Sequence, residues 1–129
     1  MEGRDRRHGR PLNGRAIVAL VLLVLGAAAA QSWWTLTSER RALERLAVLA
    51  RPGDLRMLSS ETCPYCEAAR RAMSAHAVRF DECFIERDRD CRVLYEATQA
   101  RGTPTLLVRG RPQLGFDVPR LITALEAPG

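Results

Sequence analysis

Cys63 and Cys66 stand three positions apart in the run Glu61-Thr62-Cys63-Pro64-Tyr65-Cys66. A short apolar run, Leu55 to Ser59, precedes them, and an alanine-rich stretch comes after. Two cysteines at i and i+3 meet when they open a helix, because residues three apart share a helical face. The first turn of a helix has unpaired N–H groups and the positive end of the dipole, so a sulfur there is favoured as thiolate. The thiolate is the species that attacks a disulfide. Pro64 suits a first turn, where its missing N–H is not needed. The spacing therefore predicts thiol–disulfide exchange. Cys63 forms the mixed disulfide with a partner, and Cys66, deeper in the helix, resolves it. Tyr65, between the two sulfurs, is expected to line the groove that receives the partner.

The elements that must position these sulfurs can be read from the pattern. Leu55 to Ser59 reads as a strand, and the stretch after Cys66 (EAARRAMSAHA) as a helix. Val78 to Ile85 reads as a second strand, and Asp88 to Ala100 as a helix with Val93, Leu94 and Ala97 on its apolar face. Thr105 to Val108 is a continuous apolar strand, Gly110 a turn, and Gln113-Leu114 a short returning strand. Asp117 is expected to cap a last helix with Pro119 in its first turn. His8 and His76 read as surface residues, and Tyr95 as a core or rim aromatic.

Upstream, Ala16 to Ala30 contains no charged or polar side chain. Taken on to Trp34, the segment is long enough for roughly 28 Å of helix, close to a hydrocarbon core of ~30 Å. Trp33 and Trp34 then lie where aromatic rings favour the headgroup level. Five arginines against Glu2 and Asp5 give residues 1–15 a net charge of +3. The positive-inside rule keeps such a leader in the cytoplasm and sends the rest of the chain across. Residues 1–15 are thus expected to be a basic cytoplasmic leader, and 16–34 a transmembrane helix. The same leader, apolar run and Ala28-Ala29-Ala30 also fit a cleaved secretory signal. Residues 35–53 read as a juxtamembrane helix, capped by Ser38 and ended by Arg51-Pro52-Gly53. It serves either as a stalk or as the first helix of the domain, which occupies 54–129. An inner-membrane protein facing the periplasm is the expected setting, with a secreted form as the alternative. The soluble part holds fifteen arginines against thirteen acids, a net of +2, interspersed along the chain. That balance argues against a nucleic-acid partner.

In an oxidising compartment four cysteines suggest two pairs. Closing the loop between Cys83 and Cys91 would stabilise by about 2–3 kcal/mol in the chain-entropy model, so a structural disulfide is expected there. Two independent buried thiols, or a second redox pair feeding the first, remain open. A four-cysteine zinc site is disfavoured. The second pair has an irregular spacing, and Pro64 would strain a metal knuckle at the first.

Strand, Cys-Pro-Tyr-Cys, helix, strand, helix, then Thr103-Pro104 opening a strand resembles the thioredoxin superfamily. The forty-one positions from Cys63 to Pro104 resemble glutaredoxins most closely, over roughly residues 54–126. The resemblance implies a three-layer α/β/α fold around a small mixed four-stranded sheet, here preceded by the transmembrane helix. It also implies that Pro104 follows a cis bond beside the active cysteines. Pro64, Tyr65, Thr103 and Pro104 would form the substrate-binding surface, with Thr103 offering backbone groups to an extended substrate. Two departures bear on the partner. Glu61-Thr62 stand where glutaredoxins commonly carry a basic residue, and Gly115-Phe116-Asp117 matches the glutathione-holding stretch only in part. Protein thiols and disulfides are therefore the expected partners, with glutathione as the alternative. No cofactor is expected beyond the Cys63–Cys66 disulfide itself. A thiol-based metal-delivery module is the competing function.

Overall fold

The computed structural model describes residues 13–128. The basic leader expected over 1–15, with His8, lies almost wholly outside them. By its internal contacts the chain divides into two units, Met1–Thr37 and Ser38–Gly129. The first contributes the apolar portion of α1 (Gly14–Leu49). Among the described residues α1 is the one helix long and apolar enough to cross a membrane, with a mean hydropathy of 2.1 over its best eighteen-residue window. Ile17 to Leu25, Trp33 and Trp34 are exposed there. Ser38, expected to cap a separate helix, lies inside α1 instead. Nothing near it breaks a helix, since the flanking Thr-Ser-Glu-Arg run contains neither Gly nor Pro. Arg51-Pro52-Gly53 does stop it, with Gly53 at a φ of 86°.

The second unit is built on four strands: β1 (Leu55–Ser59), β2 (Asp81–Phe84), β3 (Thr105–Val108) and β4 (Arg111–Leu114). Their order in the sheet is β2-β1-β3-β4. β1 runs parallel to β2 and antiparallel to β3, which pairs antiparallel with β4. The β1–β2 connection must cross over, and α2 (Pro64–Ala75) is the crossover helix. α3 (Arg89–Ala97) and α4 (Val118–Glu126) complete the domain. Val108 pairs with Arg111, leaving the two-residue loop Arg109-Gly110, and both loop residues have positive φ (49° and 83°). Such a loop suits the twist of a hairpin.

Alternation along the central strands separates two cores. Leu55 and Met57 of β1 and Leu106 and Val108 of β3 meet Ala69, Met73, Leu121 and Leu125 on one face. Leu46 and Ala50, at the end of α1, are buried in this same cluster, so the Ser38–Leu49 part of α1 is the first helix of the domain and not a free stalk. Leu58 and Leu107 point to the other face and meet Cys91 of α3, with Leu94 and Tyr95 packed alongside. Helices thus cover both faces of a mixed four-stranded sheet, the expected thioredoxin-like three-layer arrangement. β2 begins three residues later than expected, at Asp81, because the ladder with β1 starts at the Arg56–Asp81 pair. α3 ends at Ala97 and not Ala100, and Gln99 has turned to a φ of 54°.

Candidate active site

α2 starts where the sequence places its sulfurs. Cys63 is the N-cap residue, with extended backbone, and Pro64 comes next in the first turn. The Cys66 N–H points at the Cys63 sulfur, 3.1 Å away, so the sulfur occupies the place a Ser or Asp oxygen takes at other helix starts. Cys63 and Cys66 are joined as a disulfide, their Cα atoms 5.3 Å apart. Their exposure differs. Cys63 is partly exposed, whereas Cys66 is fully buried. An incoming sulfur can reach the first and not the second.

The Thr103–Pro104 bond is cis, as the resemblance implies. Pro104 is buried, and its carbonyl accepts from Gly115 N–H at 2.8 Å. The Thr105 hydroxyl donates to the Gly102 carbonyl at 2.8 Å. These bonds hold the loop so that the Thr103 carbonyl oxygen lies 3.3 Å from the Cys63 sulfur. That oxygen can only accept, so it bonds a reduced Cys63 when the sulfur is protonated and not when it is thiolate. Tyr65 is 76% exposed. With Ala68, Ala72, Leu114 and Phe116 it lines a groove of about 490 Å³ that runs along Thr103 and Pro104. Among the described residues no charged side chain lines it.

Behind the sulfurs lies a polar network that the sequence did not announce. Glu82, on the α2 face of β2, accepts from the Arg70 guanidinium twice at 2.7 Å and from the Ser59 hydroxyl at 2.6 Å. Burial pushes the Glu82 carboxyl up, but the bonds from Arg70 and Ser59 and the Arg70 charge outweigh it and hold the carboxyl below its ordinary value. The same bond to Glu82, working against desolvation, holds Arg70 above the ordinary arginine value. Arg70 and Arg87 lie over the Phe84 ring, 5.5 and 5.1 Å from its centroid. A usable signal was the spacing of Cys66 and Arg70, i and i+4 on α2, together with the carboxylate that β2 alternation turns toward that helix.

The loop entering Cys63 is tied as well. Glu86 accepts from the Ser60 hydroxyl and from Glu61 N–H, and Arg87 pairs with Glu61. The Ser60 bond is the main reason that the Glu86 carboxyl sits below its ordinary value. Both acids therefore have partners and serve to hold the loop.

Cys83 and Cys91 are also bonded to each other, Cα to Cα 5.9 Å, and join β2 to the first turn of α3. Among the described residues no three His, Cys, Asp or Glu side chains converge where a metal ion could sit. His76 lies at the far end of α2, as its C-cap.

The sheet order, the cysteine pair at a helix start and the cis Thr103–Pro104 bond make the unit that begins at Ser38 a thioredoxin-like domain. Within it, residues 55–112 match the model of the glutaredoxin family, a stretch just under half of the chain. Solved structures similar to this chain include a mutant of the thioredoxin-like protein BC3987, 23% identical, covering 57% of this chain and 95% of that one at a TM-score of 0.48. A mutated buckwheat glutaredoxin is 18% identical, with coverages of 69% and 92% and a TM-score of 0.46. Wheat glutaredoxin is 20% identical, with coverages of 65% and 90% and a TM-score of 0.45. No match was found among the curated proteins. The family match and the close cysteine pair support a thiol redox function.

Proposed function

We propose that this protein exchanges disulfides with other proteins through Cys63, outside a cytoplasmic membrane to which α1 anchors it. One observation carries the chemistry: the accessible sulfur caps α2, its bonded neighbour is fully buried, and the Thr103 carbonyl stands beside it. In the reducing direction the Cys63 thiolate attacks a partner's disulfide. The partner's S–S bond breaks, the Cys63–partner bond forms, and the leaving sulfur takes up a proton. Cys66 then loses its proton and attacks the Cys63 sulfur. The Cys63–Cys66 bond forms, and the partner's second thiol departs. Two electrons have passed from the pair to the partner. Oxidation of a partner is the same sequence reversed.

A protein partner is favoured over glutathione by the groove, whose lining of Tyr65, Ala68, Ala72, Leu114 and Phe116 offers no cation to the carboxylates of that tripeptide. The anchoring is supported by the length and hydropathy of α1, and the outward orientation by the arginines ahead of it.

The test is Cys66→Ser in the full chain. With no resolving thiol, mixed disulfides with proteins accumulate and dissolve on reduction. Cys63→Ser and the double variant accumulate none. Stoichiometric zinc on the reduced protein that blocks alkylation, with no trapped partner, would overturn the proposal in favour of a metal carrier. Resistance of the chain to alkaline extraction from membranes checks the anchor, and a cleaved, soluble form overturns it.

A further inference from the structure

The groove beside Cys63 does not end at Ala72. Ala72 and Phe116 also wall a second, wider depression of about 770 Å³. Its remaining apolar lining is Ala42 and Leu43 of α1 with Val118 and Pro119 at the start of α4. Both α1 and α4 lie outside the family-matched residues 55–112. The two depressions share a wall and make one track over the face of α2. Among the described residues two charged side chains line it, Glu39 and Asp117, and both belong to the far depression. Asp117 accepts from Arg120 N–H at 3.0 Å as the cap of α4.

We infer that this track is an extended subsite for the polypeptide whose disulfide is attacked. It takes an unfolded stretch with apolar side chains next to the reacting cysteine and a Lys or Arg further along, at Glu39. The inference rests on the redox reading. A mixed disulfide tethers the partner's cysteine at Cys63, so the chain leaving that cysteine must cross the adjoining surface. From Tyr65 to Ala72, α2 rises about 10 Å at ~1.5 Å per residue. An extended chain at ~3.3 Å per residue covers that in about three residues, and a few more reach Leu43 and Glu39. Apolar side chains on the way gain burial against Ala68, Ala72 and Phe116. The acids at the far end select the charge of the partner residue that arrives there.

The experiment uses the reduced full chain in detergent and three disulfides: bis(2-hydroxyethyl) disulfide, and the disulfide dimers of two ten-residue peptides. Each peptide carries its cysteine first, then Leu-Val-Leu-Val, then a Lys in one and a Glu in the other. In a single turnover the wild type reduces the Lys peptide with a second-order rate constant about tenfold above that for the Glu peptide, and the ratio shrinks at high salt. Glu39→Lys inverts that order. The residue is exposed on α1, and circular dichroism verifies that the variant is folded. Glu96→Lys, at an exposed position of α3, keeps the wild-type order. Reduction of all three disulfides with no preference between the peptides, or a preference that Glu39→Lys leaves intact, overturns the inference and spares the redox reading. Failure to reduce any of the three overturns the redox reading itself.

Discussion

The Cys63 sulfur lies 3.3 Å from the main-chain oxygen of Thr103, a residue forty positions away. On its other side, at 3.1 Å, is the N–H of Cys66. The two contacts act in opposite directions on a reduced Cys63. The amide and the helix dipole favour the anion, and the carbonyl, which can only accept, favours the protonated thiol. A thiol is a weak donor, so the amide and the dipole prevail.

Selective alkylation checks this balance. After gentle reduction, iodoacetamide modifies Cys63 about tenfold or more faster than the buried Cys66, as read by peptide mass mapping. The rate at Cys63 is half-maximal below the ~8.5 of free cysteine. Equal labelling of the two, or a half-maximal rate at the free-cysteine value, contradicts the expected reactivity.

The Arg70–Glu82 pair predicts a defined acid sensitivity. The Glu82 carboxyl is held below its ordinary value of 4.5. A group whose folded value is depressed stabilises fully above its unfolded value, and that contribution is lost as pH falls through the folded one. Glu82→Gln lowers stability by about 1–3 kcal/mol at neutral pH, the worth of hydrogen bonds to a charged group. The difference from wild type narrows below pH 4.5. Urea unfolding at pH 7 and at pH 3 measures both. A gap that stays constant across that range removes the role assigned to Glu82.

Removing the second disulfide tests whether it is structural. The bond closes a short loop, with a sequence separation of 8. Cys83→Ala/Cys91→Ala should cost about 2–3 kcal/mol while disulfide exchange at Cys63 persists. A variant equally stable but inactive in exchange indicates a redox relay instead.

Leu46 tests the place of α1 in the domain. It is fully buried among Leu55, Met57, Leu121 and their neighbours. Leu46→Ala should destabilise the domain by about 2–5 kcal/mol through lost burial and a residual cavity. Val48→Ala, on the 84% exposed side of the same turn, should cost well under that. Equal effects would detach this segment from the core.

Short-range patterns settled the elements and the reactive pair. β1 and β3 fall where their apolar runs lie, Asp88 and Asp117 cap α3 and α4, and Cys63-Pro64 opens α2. Each of these depends on neighbours within about one helical turn or one strand, so the chain order contains the information. Pairings across the fold required the folded chain. The Glu82–Arg70–Ser59 network, the Thr103 carbonyl beside Cys63 and the seat of Leu46 join residues that come together only when the sheet closes against its helices. Interspersed charge offers each acid many sequence-compatible cations, and packing selects one. The break expected at Ser38 was absent for a related reason. A capping side chain favours a helix start, but with neither Gly nor Pro beside it Ser38 does not interrupt a helix already running.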